Sequence, residues 1–485
     1  MASPRFPFAL CCVLLLSLPV HAEKLPPAVA QALKQAGIPQ ESAGIYVQET
    51  GAPRPALALN ADQPMNPASV MKLVTTYAAL ELLGPGYTWK TEVWGAGPLV
   101  GDALEGDLVL KGYGDPKLNL ENFWLLTRRL RLTGLREIRG DLVLDASHFD
   151  VAGGDPGGFD NRPFRAYNVP PEALLLNYRV VNLSIVPDAP GSGVRVVADP
   201  VPAPLNLVNN LKLTEGPCND WRGELKADIR VSPEPATVAL NGSYSRQCGE
   251  KNYLLALFDS GRYAQGLFRE LWAQQGGSLS GAARRGEVPA GSRLLLTHSS
   301  PPLPEVVRDI NKFSNNVMAR QLLLSLGAEI AGPPATLDKS RAVLRQWLES
   351  RGLRFPELVV ENGAGLSRAE RISPRHLGEL LLAAYASPVM PELMSSLPVT
   401  GVDGTMKKRL NGSGVAGQAH IKTGLLDGVK TMAGYVLDAR GRRVVVVALV
   451  NHPNAGAAQP ALDALLDWVY HRPGKPGPWT REPPP

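Results

Sequence analysis

The chain reads as a multi-domain α/β protein in which a helix-and-strand domain is interrupted by a β-rich insertion. Three observations lead there. Its 485 residues exceed what one hydrophobic core comfortably serves. With 48 Gly and 44 Pro, part of the chain must be rich in turns and short strands. Long apolar periodicities of helical type lie before residue 87 and after residue 289, and short strands with turn signals lie between. The hydrophobic share of 44% is that of a soluble globular protein, and a net charge of +5 gives no reason to expect a nucleic-acid partner.

Residues 1–22 read as a secretory signal. Arg5 supplies the positive region, residues 8–16 the apolar segment, and Val20-His21-Ala22 the cleavage site. The apolar run is too short to span a bilayer, and no later stretch is a candidate, so the mature chain should be exported without a transmembrane segment. Cys11 and Cys12 fall inside the signal. That leaves Cys218 and Cys248, a lone pair that an oxidising compartment would join as a disulfide; two buried thiols are the alternative.

In the mature chain, residues 29–35 have helical spacing, 43–49 read as a strand, and a further strand is expected near Ala56. Met65-Asn66-Pro67-Ala68-Ser69-Val70-Met71-Lys72 then opens a helix, with Asn66 as cap, Pro67 at the first helical position and Gly84-Pro85 as the stop. Ser69 sits in the first turn, and Lys72 returns to the same face three residues later. The apolar neighbours predict burial, which lowers the pKa of Lys72 and lets a neutral amine serve as base to the serine hydroxyl. Taken alone, the pattern also fits a capped core helix with a snorkelling lysine.

A strand is expected at 87–93. Gly-Asp-Leu-Val-Leu occurs twice, at 106–110 and 140–144, as one strand type used twice, with an amphipathic helix at 120–132 between. Residues 153–171 read as loop, then strands at 178–186, 194–198, 224–231 and 237–244, and a helix at 262–275. A short strand follows at 294–297, then helices at 304–311, 315–326, 335–351 and 374–386. Strands at 418–422, 431–437 and 443–451 and a helix at 460–470 complete the chain, with a hairpin turn at Asp438-Ala439-Arg440-Gly441. We therefore expect a host domain of residues 23–86 plus 289–472, an insertion of 87–288 (one region or two nested subdomains), and a Pro-rich tail at 473–485.

Two more motifs carry chemistry. Ser314-Asn315-Asn316 precedes an apolar helix, where Ser314 and Asn316 offer short polar side chains; an ordinary N-cap explains it equally. Lys422-Thr423-Gly424 lies on a strand edge, where Lys also discourages aggregation. Gly424 would let a ligand backbone approach, and Lys422 and Thr423 could hold a carboxylate.

Ser-x-x-Lys, Ser-x-Asn and Lys-Thr-Gly in that order resemble the signature of penicillin-binding proteins and class A β-lactamases. With Ser299-Ser300-Pro301-Pro302-Leu303, the run 361–368 and residues 420–434, the chain resembles the D-alanyl-D-alanine carboxypeptidase/endopeptidase family, the class C low-molecular-mass penicillin-binding proteins. The long insertion between the first two motifs is typical of that family. The resemblance implies a penicillin-binding, β-lactamase-like catalytic domain with an antiparallel sheet flanked by helices. It implies a periplasmic enzyme acting on peptidoglycan peptides through an acyl-serine, and covalent binding of β-lactam antibiotics. Ser69 would be the nucleophile, Lys72 its base and Ser314 the proton relay. Asn316 would bind the substrate amide, Lys422, Thr423 and Gly424 would frame the terminal carboxylate, and the amides of Ser69 and Leu425 would form the oxyanion hole. Asn315 stands where the pattern has Asp, outside these roles. No carboxylate suited to rapid deacylation is evident. Other readings are a β-lactamase, or a wall-binding protein with a vestigial site. The seven His form no metal-binding motif, so neither metal nor cofactor is expected.

Overall fold

The structure is a computed structural model that describes residues 25–151, 153–188, 193–232, 234–473 and 477. The expected signal at 1–22, with Cys11 and Cys12, and most of the expected tail at 473–485 lie outside the described residues.

Residues 43–59 and 419–451 build one antiparallel sheet of five strands. Their order is Ala419–Leu426, Val429–Leu437, Arg443–Asn451, Ala43–Glu49, Leu57–Leu59. The strand Arg443–Asn451 is apolar at nearly every position because both faces are covered. Val445, Val447 and Leu449 face one core, and Val444, Val446, Ala448 and Val450 face the other. The second core is closed by the helices Pro27–Gln35 and Gln459–His471, which pack together from opposite ends of the chain. The first is closed by the helices Lys72–Leu83, Leu303–Phe313, Asn316–Ala331, Leu337–Ser350 and Pro374–Tyr385. A short helix, Met390–Ser396, has no counterpart in the sequence expectations.

The intervening segment holds four further sheets and its own core. The repeated Gly-Asp-Leu-Val-Leu stretches become parallel neighbours, pairing Leu108 with Leu142, Val109 with Val143 and Leu110 with Leu144. The helix Leu120–Leu132 is the crossover between them. The expected strand at 87–93 lies at Lys90–Ala96 instead, because Trp89 is drawn into the first core. Its partner is Arg293–Ser299, so the two ends of the segment run side by side. There Ser300 Oγ accepts from the Trp89 amide at 2.9 Å, and the Leu303 amide donates to Tyr87 O at 2.8 Å. Two strands longer than three residues were not anticipated, Leu205–Thr214 and Lys251–Leu255. The first is polar on its open face and pairs in parallel with Ala236–Ser245. Cys218 and Cys248 are joined by a disulfide in this region. No helix among the described residues is long and apolar enough to cross a membrane.

Candidate active site

Ser69 lies on a 3-10 turn, Ala68–Met71, and the α-helix begins only at Lys72. The expected cap is present in altered form. Asn66 Oδ1 accepts from the Ala68 amide at 2.8 Å, but Ala68 is left-handed (φ 46°), which interrupts the first turn. The strain is held from several sides. Asn66 exchanges two hydrogen bonds with Asn451, donates to Ser367 O, and Thr431 Oγ1 donates to Pro67 O.

Lys72 is fully buried, with Nζ 3.0 Å from Ser69 Oγ. The same nitrogen donates to Asn316 Oδ1 and to Ala364 O, each at 2.5 Å. Both of those oxygens only accept. A neutral amine has two N–H bonds and one lone pair, so these partners consume its hydrogens and leave the lone pair facing Ser69. Burial pushes the amine well below its usual range, helped by the charges of Lys422 and Arg320 and opposed by Glu370.

The second serine sits at the sharp junction between the helices Leu303–Phe313 and Asn316–Ala331. Ser314 is left-handed (φ 57°), and Asn315 caps the following helix by accepting from the Met318 amide at 3.0 Å. The middle residue of the motif is thus a cap, a role that Asn fills as well as Asp. Lys422 Nζ donates to Ser314 Oγ at 3.0 Å and to Thr423 O at 2.8 Å. Burial draws its pKa down to about 7. Each lysine therefore holds one serine: Ser69, Lys72 and Asn316 form one hydrogen-bonded cluster, and Ser314 and Lys422 form another.

The Thr423 side chain joins neither cluster; its hydroxyl donates to Thr405 Oγ1 at 2.8 Å, a partner the sequence did not suggest. Leu425 follows on the same edge strand with its side chain 65% exposed. Gly424 packs against the serine turn. A Cβ there would lie 2.3 Å from Thr431 Oγ1 and 2.9 Å from both Pro67 O and Ala68 Cβ. The missing side chain admits the serine turn.

The floor is the loop 361–368. Gly365 (φ 78°) passes so close to the serine turn that a Cβ would stand 1.8 Å from Ala68 O. Gly363 O accepts from Thr75 Oγ1, and Ala364 O meets Lys72. Glu370 organises this loop. It is fully buried, and Oε1 accepts from the amides of Glu361, Asn362 and Gly363 at 3.0 to 3.1 Å. Burial raises its pKa, against those three donors and Lys72. Sequence reasoning missed it because its partners are backbone amides. The paired glycines at 363 and 365 were the available signal that this loop is tightly packed.

A buried sheet edge, a strained serine turn and two lysine–serine pairs define the class, an acyl-transfer hydrolase of the serine type. The chain belongs to the D-Ala-D-Ala carboxypeptidase 3 (S13) family, which matches residues 25–470, and is a serine-type D-Ala-D-Ala carboxypeptidase by that membership. It is 29% identical to a D-alanyl-D-alanine carboxypeptidase of Actinomadura sp. (strain R39) over 441 residues, 87% of this chain and 80% of the relative. It is 26% identical to D-alanyl-D-alanine carboxypeptidase DacB of Haemophilus influenzae over 393 residues, 80% of this chain and 81% of the relative. The crystal structure of penicillin binding protein 4 (dacB) from Haemophilus influenzae superposes with a TM-score of 0.74 at 25% identity, covering 91% of this chain and 99% of that one.

Proposed function

We propose that Ser69 is the acylated nucleophile and that Lys72 takes its proton. The carrying observation is the hydrogen-bond geometry at Lys72 Nζ, whose two acceptors leave a lone pair for Ser69 Oγ. In the reaction Ser69 Oγ bonds to the carbonyl carbon next to the terminal D-alanine. The oxyanion rests on the amides of Ser69 and Leu425. The C–N bond then breaks, and the leaving amine takes its proton through Ser314. Lys422 and Thr423 hold the terminal carboxylate, whose negative charge favours the Lys422 ammonium. Water releases the acyl group.

The substrates under this reading are D-Ala-D-Ala ends of peptidoglycan stem peptides and D,D-cross-links between them, in the periplasm, and β-lactams acylate the same serine. Residues 87–288 restrict access to the site without supplying its chemistry. Two measurements test this. Peptide mass mapping after penicillin treatment should place the adduct on Ser69, and Ser69→Ala should abolish it. Purified muropeptides should lose D-alanine from pentapeptides and separate into monomers from cross-linked dimers. Labelling that survives in folded Ser69→Ala protein would overturn the assignment. Rapid turnover of the penicillin adduct would favour a β-lactamase instead.

A further inference from the structure

Two grooves border the site and share Asn316 and Tyr167 in their walls. The first runs past Leu425 and carries both signs of charge, Asp160 and Asp427 with Arg162 and Arg368. The second starts at Ser314 and runs between Phe313 and the intervening segment, where Arg165, Arg222 and Tyr253 form the opposite wall. Its cavity volume is about 410 Å³, more space than one alanine fills. Its lining contains two arginines and no carboxylate.

Neither arginine forms an ion pair among the described residues. Arg165 lies over the Tyr253 ring at 5.0 Å, and Arg222 over the Trp221 ring at 5.1 Å. A guanidinium stacked this way keeps its N–H edge free for a carboxylate. Phe313 is 65% exposed at the groove's start, beside Ser314, although it ends a helix whose other apolar residues are buried.

We propose that this second groove binds the leaving strand of a cross-linked peptide, with Arg165 and Arg222 taking its carboxylates and Phe313 and Tyr253 packing on its aliphatic parts. The inference rests on the acyl-serine reading above. Release of a terminal D-alanine needs little space on the leaving side. Cutting a cross-link breaks the same kind of C–N bond and protonates the same kind of amine, but that amine belongs to a second stem peptide, which must lie somewhere. Ser314 is the residue assigned to the leaving amine, so a groove that begins at Ser314 is on the correct side. Its positive charge suits an arm whose own termini and side chains are carboxylates.

The test is Arg165→Gln/Arg222→Gln in the full chain, with three readouts. KM for a purified cross-linked tetrapeptide dimer should rise about tenfold, the combined size of two partly exposed charge contacts, with kcat little changed. KM for an uncross-linked pentapeptide and the penicillin acylation rate should stay at parental values, which also reports folding. Added salt should raise the parent's KM for the dimer and leave the variant's almost unmoved. Arg165→Lys/Arg222→Lys should recover part of the loss. An unchanged dimer KM, or equal losses on both substrates, overturns the groove. A parent that is acylated by penicillin yet leaves the dimer intact also overturns it while the acyl-serine reading stands. A parent that is not acylated at all removes that reading itself.

Discussion

Gly365→Ala places one methyl group where the loop and the serine turn meet. The new Cβ would stand 1.8 Å from Ala68 O, 2.2 Å from Ala68 C and 2.6 Å from Ser69 N. Real Cβ contacts essentially stay beyond 3.0 Å, so loop and turn must separate by about 1.2 Å. No side chain can swing aside, because every obstacle is backbone. The turn is tied to Asn451, Ser367 and Thr431, and the loop to Glu370. A left-handed alanine adds roughly 1–2 kcal/mol of backbone strain. Misplacing a reacting group by about 1 Å costs on the order of a hundredfold in rate. We expect penicillin acylation to fall about a hundredfold in a protein that still folds. Gly352→Ala is the control, since Gly352 has the same left-handed backbone (φ 72°) and nothing within 4 Å of the added atom. It should share the strain and keep the acylation rate. Second-order acylation rates with a fluorescent penicillin, alongside thermal unfolding, separate the two effects. A folded Gly365→Ala protein that acylates within about fivefold of the parent would refute the close-packed geometry described for Ser69.

Lys72→Arg keeps a charge but cannot act as a base at neutral pH, so acylation should drop by about a hundredfold or more; near-parental acylation would make Lys72 an electrostatic anchor only. Glu370→Gln preserves an acceptor for the three loop amides and removes the charge that stabilises the Lys72 ammonium. The amine should lose its proton more easily, so the acidic limb of the acylation pH profile should move to lower pH; movement upward would contradict this. Asp115 is buried with Oδ2 unbonded, and burial lifts its pKa from 3.8 to about 7. Between those values the folded protein keeps a proton that the unfolded chain has lost, so stability falls as pH rises through that window. The unfolding midpoint of Asp115→Asn should therefore decline less than the parent's between pH 5 and pH 8. Reducing the Cys218–Cys248 bond, which closes a loop of 30 residues, should cost about 3 to 4 kcal/mol on the chain-entropy view; two alkylated thiols in the unreduced protein would exclude the bond.

Much of this site is written in local sequence. Three residues of spacing on a helical turn bring Lys72 back to Ser69 wherever the helix packs, and apolar neighbours on every side of that helix foretell a buried amine with a lowered pKa. The Lys-Thr-Gly strand was legible from its period, and the sheet's central strand from an apolar run that only a doubly covered strand tolerates. Those features depend on backbone geometry over a few residues, and side-chain order is enough to specify them. The acceptors that orient the amine are of another kind. Ala364 lies 292 residues from Lys72 and Asn316 lies 244 residues away. Ala364 contributes a carbonyl that every residue type carries, so its identity marks nothing. Glu370 is similarly silent, because a carboxylate spent on three backbone amides looks in sequence like any surface acid. The left-handed turn at Ala68 and the close packing at Gly424 arise only when the edge strand is pressed against the serine turn. The sequence alone put Ser69 and Lys72 one helical turn apart and Lys422, Thr423 and Gly424 on one strand. Tertiary packing decided which way their hydrogens and lone pairs point, since hydrogen-bond direction is set by whatever distant backbone the fold brings alongside.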